Sequence, residues 1–405
     1  MRRVFAILLQ LGLLLAIAAG RPTLGEAEAL PPDPTQIRVA VVQGQPEITL
    51  SIHGRYQVLA LENGSVLQDG ARLSRAAVRA TPEGIFVSGQ YLPRAGVQIQ
   101  PARDATIDLN GQRLRGTVEI RQPTDQALLV INRIGLEEYL RGVLSKEAPH
   151  DWPKEALRAL AIAARTYALF QRLSKSTIDY DVTGDVLSQV YGGKSAEKWR
   201  TTRAVKDTEG LILVYGALVF PTFYHSTCGG LTEQGSVMGP YRLAPLSGGV
   251  QCPFCSDSPF YRWRQTLTVG DVAWAMKQRD RGSVWPVSDV RIVETTPTGR
   301  AAKIQVTGGG RTIVLTGYEF RQAFGFDRIR STAFSIVPDG AGGFLLDGRG
   351  WGHGVGLCQW GTAALAGRGA SAREILAYYY PAAKMVRLGE IPVQAISVDP
   401  TQGGS

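Results

Sequence analysis

The chain has 405 residues, of which 44% are hydrophobic and 20% charged, with a formal net charge of +9. Length and apolar content suit a globular protein of two or three domains with a real core, and argue against a disordered or fibrous chain. The positive charge favours anionic partners, but the basic residues are scattered and form no nucleic-acid-binding arm.

Arg2 and Arg3 precede an uncharged apolar run from Val4 to Ala19, in which Ala16, Ile17 and Ala18 resemble a small-residue cleavage site. This order reads as a secretory signal over residues 1–20, and so as an exported protein of the periplasm or cell envelope. An uncleaved segment of this length is the one route to membrane attachment. Export disfavours nucleic acid as the anionic partner and leaves a carboxylate-bearing envelope polymer. Residues 21–36, with Pro31, Pro32 and Pro34, read as a linker.

The region 37–114 is β-rich. Its short runs IRVAVV, ITLSI, YQVLAL and GIFVSG are separated by turn pairs such as Asn63-Gly64 and Asn110-Gly111. A core from 115 to 390 follows. It opens with the further strand ALLVIN, two helices and strands near Leu211–Val214 and Leu218–Tyr224. A second β segment over Val290–Leu315, a glycine-rich loop at Gly348–Gly361 and a helix near Ser371–Tyr380 complete it. Residues 391–405 have weak patterning and read as a frayed tail. The class is α+β: a β-rich N-terminal part and a mixed α/β core with a cleft.

In GLEEYLRGVLSKEAP, residues Leu136, Tyr139, Leu140, Val143 and Leu144 follow helical spacing, and Glu147 falls next on the same stripe. Its carboxyl therefore sits on the core-facing side, in the last turn before Pro149. Partial burial and the negative end of the helix dipole both favour the protonated form, as a general acid requires. The following helix has Asp151 as a cap and Pro153 in its first turn, with a stripe of Leu157, Leu160, Ala161, Ala164, Tyr167 and Ala168. Arg165 lies beside this stripe, where it can point into a cleft shared with Glu147 or form a salt bridge.

His225, Cys228, Cys252 and Cys255 form H-x2-C, a loop, then C-P-F-C, a spacing that suits a closed, structural zinc site. A disulfide is the competing reading in an oxidising compartment. Cys358 reads as a small buried residue. The loop GRGWGHGVGLCQWG is neither a dinucleotide fingerprint nor a phosphate loop. Its glycines bring backbone close to something, often a ligand. It offers His353 and Gln359 as polar groups, and Trp351 and Trp360 as flat faces for sugar rings.

The segment E-A-P-x-x-W-P-x-E-A-L-x-A-x-A-I-A-A-R-T-Y-A-L from Glu147 to Leu169 resembles the signature of the stage II sporulation protein D family, also called the SpoIID/LytB domain. Y-G-G at Tyr191, Y-H-S-T-C-G-G at Tyr224 and G-W-G-H-G-V-G-L-C-Q-W-G at Gly350 resemble its later blocks in the same order. The resemblance implies either a lytic transglycosylase acting on peptide-stripped peptidoglycan strands or an enhancer of a cell-wall amidase. It places the family's catalytic glutamate on Glu147, and motif positions around the cleft on Arg165, Tyr167, Tyr191, Tyr224, His353 and Gln359. A bound zinc is associated with the family at positions that vary. No organic cofactor is implied. A single acid suffices for a lytic cut, although Glu155, Asp181 or Asp185 could act as a second. A Cys/His hydrolase built on Cys228 or Cys358 is the weakest alternative.

Overall fold

The computed structural model describes residues 35–174, 179–185, 188–279, 284–390, 392, 394 and 395. The expected signal and most of the expected linker and tail lie outside these residues. Among the described residues no helix is long and apolar enough to cross a membrane.

From Gln36 to Gly135 the chain builds two antiparallel sheets whose strands alternate buried and exposed side chains. In spatial order the first sheet runs 182–183, 36–45, 127–135, 117–124, 97–101, 56–60, 66–70. The second runs 112–114, 106–109, 47–53, 73–81, 84–87, 90–92. The expected turn at Asn110-Gly111 is a two-residue hairpin: Leu109 pairs with Gln112, and both turn residues have positive φ. Leu50, Ile52, Val97, Ile99 and Ile120 line an apolar cavity of about 100 Å³ between the sheets. The strands continue past residue 114. Val39 and Ala40 also pair in parallel with Val182 and Thr183, so the β-rich part and the helical core share a sheet.

Among the described residues the helices are α1 (Leu136–Glu147), α2 (Lys154–Ser174), α3 (Trp199–Asp207), α4 (Val269–Gln278), α5 (Gly317–Phe324), α6 (Gln359–Gly367) and α7 (Ala372–Tyr379). Helix α1 continues directly from the strand 127–135 and buries Leu136, Tyr139, Leu140, Val143 and Leu144, the expected stripe. It ends at Glu147 because Ala148 precedes Pro149 and is extended (φ −144°, ψ 145°). Helix α2 starts one residue after Pro153, whose carbonyl accepts from the N–H groups of Ala156 and Leu157. It is buried on every side from Ala159 to Gln171, packed by α1, α3, α6, α7 and the strand 211–215. Its alanines permit that close approach, as expected of a helix at the centre of a core.

Between Arg262 and Arg349 the chain forms a unit with its own apolar core, including Trp263, Leu267, Met276, Ile304, Phe320, Phe334 and Leu346. The expected β segment is here, as antiparallel strands 287–295, 301–308 and 311–316, broken at Thr298-Gly299 and Gly309-Gly310. Arg262 pairs with Arg349, so the unit leaves and re-enters the core at one place. It is an insertion into the helical core.

Candidate active site

Glu147 opens onto a cleft of about 500 Å³. One wall comes from the helical core and the glycine-rich loop: Tyr167, Ser188, Val190, Tyr224, His225, Trp351, His353 and Gln359. The other comes from the inserted unit and carries Tyr318, Arg321, Phe326 and Asp327. The inserted unit thus completes the site.

The Glu147 carboxyl accepts two hydrogen bonds. The Val190 N–H donates to Oε1 at 2.9 Å, and Gln359 Nε2 approaches Oε2 at 3.5 Å while donating to the Glu147 carbonyl at 3.0 Å. Burial raises its pKa from 4.5 to about 7, against the lowering effect of those bonds. Desolvation outweighs hydrogen bonding, so at neutral pH both protonation states are populated.

The surroundings are phenolic. The Tyr224 hydroxyl accepts from Gln189 Nε2 at 2.9 Å, and Gln189 Oε1 accepts from Tyr139 at 3.1 Å. Burial pushes the Tyr167 hydroxyl up to about 12 and that of Tyr224 well above its ordinary value. Both remain neutral donors beside the acid. His353 is pinned: its Nδ1 accepts from the Val355 N–H at 3.0 Å, so Nε2 carries the proton given to the Tyr224 carbonyl at 3.0 Å. Burial and nearby Arg321 lower its pKa to about 3. It is a fixed neutral ring that positions Tyr224, with no proton to exchange at physiological pH.

The glycine-rich loop lies against the chain 223–228 rather than reserving its approach for a ligand. A Cβ on Gly352 would sit 2.7 Å from that of His225. Gly356, at φ 69°, passes the Phe223 carbonyl too closely for any side chain. Trp351 reaches the cleft with its ring edge-on to Phe260 at 4.4 Å and under Arg330 at 5.3 Å. Trp360 instead packs on Trp152 at 5.6 Å.

Two expected cleft residues lie elsewhere. Arg165 is fully buried, with Nε and Nη2 on the Glu137 carboxylate (2.7 and 2.8 Å) and Nη1 on the Leu211 carbonyl (3.0 Å). Because α2 is enclosed on all sides, the position beside the stripe faces the interior, where a guanidinium must be paired. Tyr191 packs behind α1: its hydroxyl donates to Asn132 Oδ1 at 2.8 Å, and a Cβ on Gly142 would meet its ring. The cleft's buried cation is Arg321 of α5, whose Nε and Nη2 donate to the carbonyls of Ile329 and Arg330. Burial lowers its pKa to about 10, so it stays charged.

Possible second acids are likewise relocated. Glu155 bonds Arg158 and the Ala372 N–H, Asp181 is clasped by Arg38 and Arg172, and Asp185 accepts from Thr183. Among the described residues lining the cleft, the carboxylate besides Glu147 is the exposed Asp327. Sequence reasoning missed Tyr318, Arg321 and Asp327, because they belong to a unit whose return to the cleft is a property of tertiary structure.

The expected metal set also changes. Cys228, Cys252, Cys255 and Cys358 place their sulfurs within 4.8 Å of one another, whereas His225 is not among them. The His225 Nδ1 donates to the Val355 carbonyl at 3.1 Å, its Nε2 is buried without a protein partner, and the residue lines the cleft. The strands 224–225 and 357–358 pair in parallel with His225 opposite Cys358, which brings the fourth cysteine in.

Residues 124–215 match the family described as stage II sporulation protein, and residues 254–356 match a domain of unknown function, DUF8618. An uncharacterised protein of Brachyspira hyodysenteriae is 29% identical over 85% of this chain and 91% of its own length. Stage II sporulation protein D of Bacillus subtilis is 30% identical over 75% of this chain and 91% of its own. An amidase enhancer of Bacillus subtilis is 29% identical over 60% of this chain, a match covering 39% of that longer protein. The chain belongs to the stage II sporulation protein D family.

Proposed function

We propose that this chain is an exported lytic transglycosylase that cleaves the MurNAc–GlcNAc bond of peptide-stripped peptidoglycan strands with Glu147 as its single acid and base. Family membership and the likeness to an amidase enhancer support a cell-wall-related role. The observation that carries the finer reading is the Glu147 carboxyl, with its pKa near 7, at the wall of an aromatic cleft. A group with that pKa can donate a proton and take one back at the same pH.

In this reading protonated Glu147 gives its proton to the glycosidic oxygen as the bond to C1 of the muramic acid breaks. The carboxylate then accepts the proton of the C6 hydroxyl as that oxygen closes on C1, leaving a 1,6-anhydro end without consuming water. Tyr167 and Tyr224 supply neutral hydrogen-bond donors, Trp351 and Phe326 flat apolar surface, and Arg321 a fixed positive charge for the lactyl carboxylate of a denuded strand. Glycosidases that hydrolyse use a second carboxylate, and Asp327 is the candidate for that role should water attack instead.

The competing reading is a non-catalytic glycan-binding module that enhances a cell-wall amidase. Purified protein is incubated with peptide-free and with peptide-bearing strands, and soluble fragments are measured. Release from peptide-free strands that is abolished in Glu147→Gln, while strand binding persists, supports the enzyme. Binding without release by either protein establishes the module.

A further inference from the structure

We propose that Cys228, Cys252, Cys255 and Cys358 hold one zinc ion as a closed tetrathiolate centre that locks both ends of the inserted unit to the helix carrying Gln359. The geometry is that of a metal site. A tetrahedron with Zn–S bonds of about 2.3 Å has sulfurs about 3.8 Å apart. The four sulfurs lie within 4.8 Å of one another, with Cys228 and Cys255 at 3.5 Å, and all four side chains are buried. Each sulfur has the others around it. A pair of disulfides would instead divide them into two bonded couples.

The surroundings suit sulfur that carries negative charge. Backbone N–H groups of Cys228 and Gly361 point at Cys358 Sγ (3.3 and 3.4 Å), and that of Gly230 points at Cys228 Sγ (3.4 Å). The Tyr379 hydroxyl lies 3.0 Å from Cys252 Sγ. Buried Arg300 of the inserted unit donates from Nη2 to the Cys228 carbonyl at 2.6 Å, and its Nη1 has no protein partner. Zinc with four thiolates has a net charge of −2. Donors aimed at the sulfurs are the second layer such a dianion needs, while Arg300 shares its charge with the buried Glu233 carboxylate at 4.0 Å. Loading zinc releases the four thiol protons.

The placement gives the centre its role. Cys252 and Cys255 bracket the short turn that precedes Arg262, where the inserted unit begins. Cys358 follows the loop that leaves the unit, and its sulfur caps α6 by accepting from the Gly361 N–H. The next residue is Gln359, which holds the last turn of α1 at Glu147. One ion therefore fixes the cleft wall bearing Arg321 and Asp327 relative to the acid. Zinc binding by these cysteines does not depend on the proposed reaction.

The test uses the full chain. Elemental analysis should give one zinc per chain, and X-ray absorption should show four sulfur neighbours at about 2.3 Å without a nitrogen shell. All four cysteines should resist alkylation until zinc is stripped by a chelator, then react. His225→Ala should keep its zinc and Cys358→Ser should lose it; if the latter fails to fold, the wild-type coordination shell decides. Disulfide-linked peptides in a non-reducing map, a shell of three sulfurs and one nitrogen, stoichiometric iron in place of zinc, or zinc lost with His225 but kept without Cys358 would each overturn the proposal.

Discussion

Replacing Glu147 with Gln should stabilise the folded protein by an amount that grows with pH. Unfolded, the carboxyl has the ordinary value of 4.5; folded, burial moves it to about 7. Below pH 4.5 it is protonated in both states and costs nothing. Between those values the unfolded chain gives up the proton while the folded chain keeps it, so stability falls as pH rises. Above pH 7 the loss is complete, at about 1.4 kcal/mol per pH unit over the interval, or about 3 kcal/mol in all. Glutamine is neutral throughout, and its carbonyl can still accept from Val190. Urea unfolding of both proteins at pH 5, 6, 7 and 8 reads the difference directly. The gap between variant and wild type should widen by about 3 kcal/mol from low to high pH. A gap that stays constant with pH would refute the raised pKa and with it the reason for assigning the acid.

Other expectations follow from the same geometry. Because the Gln359 side chain lowers the Glu147 pKa, Gln359→Ala should move the alkaline limb of the rate profile to higher pH; a shift to lower pH would contradict the contact. Arg165→Ala leaves the half-buried Glu137 without its guanidinium and the Leu211 carbonyl without its donor, and should cost about 2–3 kcal/mol in unfolding experiments. The same Arg165→Ala substitution should leave strand affinity of the folded fraction unchanged. Asp327→Asn should preserve the chemical identity of the cleavage product, since the lytic route asks nothing of a second carboxylate. A product that changes, or disappears, would favour hydrolysis.

Local signals in the sequence were strong where one element sufficed. The helical spacing from Leu136 to Leu144 placed Glu147 on the buried stripe, and Asn110-Gly111 named its hairpin. Capping boxes at Thr268/Asp271, Thr316/Glu319 and Ser371/Glu374 mark the starts of α4, α5 and α7. The first two were legible and would have divided the inserted unit into elements. What escaped depended on how elements meet. Arg165 reads as a cleft residue until α2 is seen to be enclosed on all sides. His225 fits a zinc spacing along the chain, but its Nδ1 is taken by the Val355 carbonyl, and the pairing of strands 224–225 and 357–358 brings in Cys358, 130 residues beyond Cys228. Arg321 and Asp327 carry no motif, and only the return of the inserted unit to the core sets them opposite Glu147.

The most direct test of the account is the mass of the ends made from peptide-free glycan strands at neutral pH. Wild-type protein should leave muramic acid ends lighter by one water than hydrolytic ends, and Glu147→Gln should leave none. Hydrolytic ends, or anhydro ends that persist in Glu147→Gln, would contradict the assignment of Glu147 as the single acid and base.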